Sequence, residues 1–328
     1  MNFKTILKCT NSQAIGLIHI FLFKGFSKLL VCIGSTLPLD NCEVINLESS
    51  AKTCQNLPKF PVSPAFLAIG GLGFNYNPII CGGVQNDSTP NKCYSLENGA
   101  WVSSDSMNSA RVDAAAVLME DGQLLATGGY DGQGHTNSAE MLTDKGCKNK
   151  VPSLPVRIAA HCMVQVNSTT VMAVGGFQNG MISGNTFYFN AERQSWTQGP
   201  ALKMVRFAHR CGRIRKSQNS EEMSIIVVGG SDNDPNFTSV EILDEGSNEW
   251  RAGPPIPFGT YYSEMVNYPK GGVVMIGGQA QNNVWSTTLY QLSHGGNDAV
   301  WTEMKQKLTA GRNRHTAFLI PDNIANCS

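Results

Sequence analysis

Charge is scarce in this chain. Of 328 residues only 15% are charged, and 25 basic side chains balance 25 acidic ones. A nucleic-acid binder needs a basic excess to displace the counterions on phosphate, so that class is excluded. Long apolar runs are missing too. The longest is about ten residues, against the ~20 that span a membrane as a helix. Tryptophan is rare, at five, so its spacing carries information. What the chain has in quantity is glycine, 33 residues, as many short strands and tight turns require. Length alone suggests about two domains.

A repeat overrides that reading. Hydrophobic runs end in a glycine pair at Gly82-Gly83, Gly128-Gly129, Gly175-Gly176, Gly229-Gly230 and Gly277-Gly278. The first glycines are spaced by 46, 47, 54 and 48 residues. Twelve residues after the second glycine stand Met141, Tyr188, Ile242 and Tyr290; Tyr94 follows after eleven. Trp101, Trp196, Trp250 and Trp301 then close four of the units. A period near 50 with one glycine pair per unit marks a propeller repeat. At the glycines the chain must turn close to neighbouring backbone, often at positive φ. The rings at the Tyr and Trp positions read as packing between units.

These motifs resemble the Kelch family over roughly residues 29 to 321. The resemblance implies an all-β, six-bladed Kelch-type β-propeller over 29–322, with residues 1–28 in front and 323–328 as a tail. Blade one starts in mid-repeat, at Leu29–Ser35, with Ser35 in place of the second glycine; Cys42–Leu47 and Thr53–Pro58 follow. Its opening strand is expected from Gly311–Ile320, so that the C-terminal strand completes the N-terminal blade and removes the seam. Blades two to six run Val62–Trp101, Arg111–Cys147, Arg157–Trp196, Arg206–Trp250 and Phe258–Trp301. An extra Gly70-Gly71 is expected in the hairpin between the first two strands of blade two. The polar insert 215–222 is expected to be a solvated loop. Lys4 and Lys8 ahead of an apolar stretch at 14–23 have the outline of a secretory signal, although His19 interrupts it and no small-x-small site follows. The alternative is an apolar extension packed on the propeller.

Ten cysteines is an even and high number. Cys42 and Cys54 flank one turn, Cys81 and Cys93 another. Cys162 and Cys211 each lie five residues after a blade-opening arginine, which predicts equal heights on neighbouring strands. These pairs are disulfide candidates, implying an oxidising, secreted setting; buried free thiols in a cytoplasmic protein are the alternative. Cys54 and Cys147 take the tryptophan position in the blades that lack it. Sequons at Asn86, Asn167, Asn236 and Asn326 are no more than chance supplies.

Candidate binding residues cluster at blade starts: Arg111, Arg157, His161, Arg206, His209, Arg312, Arg314 and His315, with Asp113 and Arg210 nearby. If they ring one end of the channel they would attract an acidic peptide or anionic glycan. Alternatively each arginine pins a loop of its neighbouring blade. His161, Cys162, His209 and Cys211 could hold zinc or copper, but their spacing follows from the repeat. No cofactor is implied. The resemblance leaves three functions open: a non-catalytic protein- or glycan-binding propeller, a sugar-modifying enzyme similar to sialic-acid epimerases or galactose oxidase, and a fragment of a ubiquitin-ligase substrate adaptor.

Overall fold

The computed structural model describes residues 25–35, 41–49, 57–62, 65–72, 76–85, 88–120, 122–142, 150–234, 237–268, 271–279 and 284–325. All regular structure among them is strand. Blade two is built from Ile69–Leu72, Pro78–Cys81, Cys93–Glu97 and Ala100–Ser104, and blade three from Ala115–Leu118, Leu124–Thr127, Ala139–Leu142 and Lys150–Val151. Blade four comprises Cys162–Gln165, Thr170–Val174, Thr186–Asn190 and Ser195–Gln198. Blade five comprises Arg210–Arg215, Met223–Val228, Val240–Asp244 and Arg251–Ala252, and blade six Glu264–Asn267, Val273–Ile276, Thr288–Leu292 and Thr302–Lys307. Blade one closes the ring as expected. Lys28–Cys32 lies between Cys42–Asn46 and the C-terminal Thr316–Ile320, with Leu30 opposite both Val44 and Phe318. The six inner strands touch in sequence, and the last meets the first.

The second strand of every blade is buried on both faces, which explains its unbroken run of β-branched and aliphatic residues. Its side chains alternate between neighbours. In blade five, Ile226 and Val228 pack against Val273 and Met275 of blade six, while Ile225 and Val227 pack against Met172 and Val174 of blade four. Six hydrophobic clusters result, one per seam. Tryptophans add a polar stitch: the indole N–H of Trp196, Trp250 and Trp301 donates to the carbonyl of Pro152, Pro200 and Pro254 in the preceding blade.

Two backbone networks lock the seams where the inner strands begin. The N–H of Gly83, Gly129, Gly176, Gly230 and Gly278 donates across the seam to the carbonyl of Arg111, Ile158, Arg206, Thr260 and Arg312. Two residues further on, one residue per blade adopts positive φ: Leu67, Asp113, Ala160, Ala208, Tyr262 and Arg314. Each N–H donates to the carbonyl of its counterpart in the blade before, and Leu67 donates to Arg314. The circle of six bonds is closed.

This register corrects four expectations. Ile158, not Arg157, holds the blade-opening position of blade four. In blade one Ile33 and Gly34, with φ of 57° and 110°, stand where other blades have two glycines; Ser35 is the residue after the pair. An isoleucine at positive φ is strained, and its side chain is buried in the cluster between blades one and two. Gly70 and Gly71 lie in the inner strand of blade two rather than a hairpin. A Cβ on Gly70 would come within 2.2 Å of Thr316 Oγ1, and one on Gly71 within 2.8 Å of Leu124, so these glycines admit the neighbouring blades. Finally, Cys42 pairs with Cys32, directly across the antiparallel ladder, and not with Cys54.

Cys81–Cys93 repeats that cross-strand geometry in blade two. Cys162–Cys211 joins blades four and five, Cα atoms 5.8 Å apart. With Ile158 as the reference, these two cysteines are offset by one residue rather than level. All six cysteines among the described residues are bonded. Cys54, Cys147, and residues 1–24 with the signal reading, lie outside the described residues. The insert is solvated: Lys216 to Glu222 is mostly exposed, bridged by a Lys216–Glu222 pair.

Replacing Cys162 and Cys211 by alanine should cost about 2–4 kcal/mol, since that bond closes a 49-residue loop; urea unfolding under non-reducing conditions measures it.

Candidate functional site

The second strand of each blade ends at its glycine pair, and the third strand and the inner strand start at that same end. Second-to-third loops and blade-to-blade loops therefore share one face, here termed the glycine face. Any recognition surface built from loops on this scaffold begins with what those loops expose.

Three of the arginines expected there are not exposed. Arg111, Arg206 and Arg312 are buried and paired with Glu140, Glu241 and Glu43 at 3.0, 2.8 and 2.8 Å. Each also donates to backbone at its own glycine turn: Arg111 to Gly128 and Ser138, Arg206 to Gly229 and Ser239, Arg312 to Ile33 and Asn41. The glutamates in turn accept from the incoming loop, at the N–H of Asn108, Lys203 and Thr309. This unit occupies alternate blades. In blades two and four Gln85 and Gln178 donate to Gly82 and Gly175 instead. The buried glycine carbonyl needs a donor, and either residue supplies one. The loops pinned by each arginine belong to its own blade, not the next.

The histidines are also interior. His161 Nε2 is 2.8 Å from Thr127 Oγ1, and His209 Nε2 is 3.1 Å from the Val174 carbonyl. Both reach into the preceding blade just before its glycine pair. A Cβ on Gly175 would meet the His209 ring at 2.7 Å, so the first glycine makes room for the imidazole. Burial pushes the His161 pKa down to about 3, with Arg111 and Arg210 adding to it. Burial likewise holds His209 and His315 well below the usual value. The sulfurs of Cys162 and Cys211 are bonded to each other and are not ligands.

The structure brings Arg314 and His315 together with Asp113, His161 and Arg210 in a central cavity of about 400 Å³ lined by all six inner strands. Two residues missing from the sequence-derived set complete it. Tyr262 reaches across the channel from blade six to donate to Asp113 Oδ2 in blade three, at 3.2 Å. Glu264 pairs with Arg210 at 2.9 Å. The Arg314 guanidinium lies 4.8 Å over the Tyr262 ring. Burial raises the pKa of Asp113, of Glu264 and of Tyr262. Asp113, Tyr262 and Arg314 all belong to the positive-φ circle, so the circle sets the cluster. Blade six has Thr260 where an arginine would have marked its start, which hid Tyr262 and Glu264; counting back from Gly277-Gly278 would have found them.

The surface of the glycine face is apolar. It carries six of the nine exposed large hydrophobics among the described residues: Tyr130, Met181, Met204, Val205, Val284 and Trp285. Met181 is 71% exposed, Val284 60% and Trp285 40%. A row of rings runs beneath them from Tyr130 through His135 and Phe177 to Phe207, with centroids 6.4, 6.4 and 4.5 Å apart. Arg157 is exposed on the same face.

Residues 224–257, the second to fourth strands of blade five, match the family model of the Kelch motif. Kelch-like protein 41a of Danio rerio is 25% identical over 173 residues, covering 51% of this chain. The chain is a β-propeller that carries a Kelch-motif match in one blade. Among solved structures, that of YjhT superposes on it with a TM-score of 0.58 at 15% identity, over 77% of this chain and 88% of that one. That likeness is one of fold. The match to Kelch-like protein 41a spans 28% of that protein's length.

The histidines make stability pH-dependent. They stay neutral when folded but take up a proton near pH 6.5 when unfolded, so the stability they support is full above that pH and falls as pH drops below it. Asp113 and Glu264, shifted upward, act in the opposite sense. His209→Gln should therefore remove about 1.4 kcal/mol per pH unit from the acid-side slope between pH 6 and 5. Urea midpoints of both proteins across that range measure the difference; an unchanged slope would show that His209 titrates normally when folded.

Arg206→Met should destabilise by about 3–5 kcal/mol by leaving Glu241 buried without its partner. Arg157→Met, at the surface, should change stability by less than about 0.5 kcal/mol.

Proposed function

We propose that this Kelch propeller is a non-catalytic binding module that takes a protein partner on its glycine face. The observation that carries this reading is the gathering of exposed Met181, Val284, Trp285, Met204 and Val205 on one end of an otherwise well-buried ring. Exposed apolar side chains gathered on one face of a scaffold mark a candidate interaction site. Tryptophan and methionine supply the anchors such sites favour. The Kelch fold supports a protein-binding role.

The channel does not support catalysis equally well. Arg210 and Glu264 neutralise each other, Tyr262 occupies Asp113, and His161 and His209 are spent on inter-blade contacts. The three disulfides favour an oxidising compartment as the place of action.

Affinity capture from the native source, with wild type beside a Met181→Ser/Trp285→Ser double variant, tests the reading. The expected result is a stoichiometric protein held by wild type and lost from the variant, with urea unfolding of both proteins confirming that the variant is folded. Equal capture by both proteins, or turnover of sialic acid or galactose by the isolated propeller, would overturn it.

A further inference from the structure

We propose that Asn167 carries an N-linked glycan, at the end of the ring opposite the glycine pairs. This modification is independent of the protein-binding reading and shares with it only the oxidising setting that the disulfides favour. Asn167-Ser168-Thr169 is one of four sequons. Their number is what chance supplies, so only placement can single one out. Asn86, Asn236 and Asn326 lie outside the described residues.

Asn167 stands in the turn between Cys162–Gln165 and Thr170–Val174, the first two strands of blade four. The second of these strands runs toward Gly175-Gly176, so the turn lies at the end of the ring away from the glycine face. Backbone bonds close it: the N–H groups of Val166 and Asn167 donate to the Thr170 carbonyl at 2.8 and 3.2 Å, and the Thr170 N–H donates back to the Asn167 carbonyl at 3.4 Å. Asn167 and Ser168 are exposed.

The side chain is held in a way that suits the modification. Asn167 Oδ1 accepts from the N–H of Thr169 at 3.1 Å and from its hydroxyl at 3.4 Å. Both bonds fall on the amide oxygen, and Nδ2 makes no hydrogen bond to another described residue. A sugar on Nδ2 therefore leaves the turn intact and displaces nothing from the core. A sequon on a surface loop of a secreted protein is an acceptor for N-glycosylation, and the three disulfides fit that compartment. The donor is an oligosaccharide linked to a lipid pyrophosphate. The bond from the anomeric carbon to Nδ2 forms as its bond to the pyrophosphate oxygen breaks. The amide proton passes to a base of the transferase, and the lipid pyrophosphate leaves. A glycan here would cover the end of blade four beside Gln165, a residue of the channel wall, and would leave the glycine face open to a protein.

Peptide mapping by mass spectrometry tests this on the chain from its native source, after enzymatic deglycosylation in heavy-oxygen water. Asn167 should be recovered as labelled aspartate. In a eukaryotic secretory host, Thr169→Ala should lose the glycan and Thr169→Ser should keep it. Both variants preserve the N–H that Asn167 Oδ1 accepts from, and urea unfolding confirms that each is folded. Unmodified Asn167 in a chain whose cysteines are bonded overturns the glycan and leaves the oxidising setting and the glycine face intact. Unmodified Asn167 beside free thiols overturns the glycan and that setting together. A label at Asn167 that persists in Thr169→Ala would overturn sequon-directed transfer as its cause, because the transfer requires a hydroxyl at that position.

Discussion

Six backbone hydrogen bonds, one per seam, hold this propeller at the throat of its channel. Leu67, Asp113, Ala160, Ala208, Tyr262 and Arg314 each donate to one neighbour and accept from the other. The peptide dipoles therefore run in one sense around the circle. Only a closed ring satisfies all twelve groups. Each member must adopt positive φ, a conformation that costs a side-chain-bearing residue of order 1 kcal/mol or more. The circle repays that cost by leaving no buried polar backbone unpaired at the most crowded point of the fold.

That constraint explains the rest of the glycine end. Once the inner strands are fixed at the throat, the next blade's carbonyl lies within reach of the second glycine. The first glycine must yield space for the histidine or backbone of its neighbour. Its own carbonyl is then buried, and an arginine–glutamate unit or a glutamine provides the donor. Arginine in these positions is part of the scaffold. Its charge is cancelled inside the blade.

The same division separates the two places where function could reside. The channel holds charged groups, but Arg210 is paired with Glu264 and Asp113 accepts from Tyr262 across the throat. The glycine face holds side chains with no structural employment: Met181, Val284 and Trp285 contribute little to the six seam clusters. Exposed apolar side chains outside the core clusters are available to a partner. Kelch-like protein 41a and YjhT share the framework with this chain, and the framework is what recurs in the sequence.

The repeat was legible from the sequence because the networks at the seam demand glycine at fixed intervals and no other residue fills that place cheaply. The C-terminal strand was legible too, since a half-repeat at each end of the chain, with Leu29–Cys32 lacking its partner, left one way to close. Ile33 and Ile158 escaped notice because each occupies a position defined by backbone conformation while presenting the wrong side chain. Tyr262 and Glu264 escaped for the same reason, as no arginine announced their blade. The sequence by itself determined the number of blades, their order and the closure. Only the tertiary structure decided that Arg111, Arg206 and Arg312 face inward, that Cys42 meets Cys32, and that the apolar loop residues converge on one face. Periodicity records which positions recur along a chain, whereas burial and pairing depend on which of those positions the ring brings opposite one another.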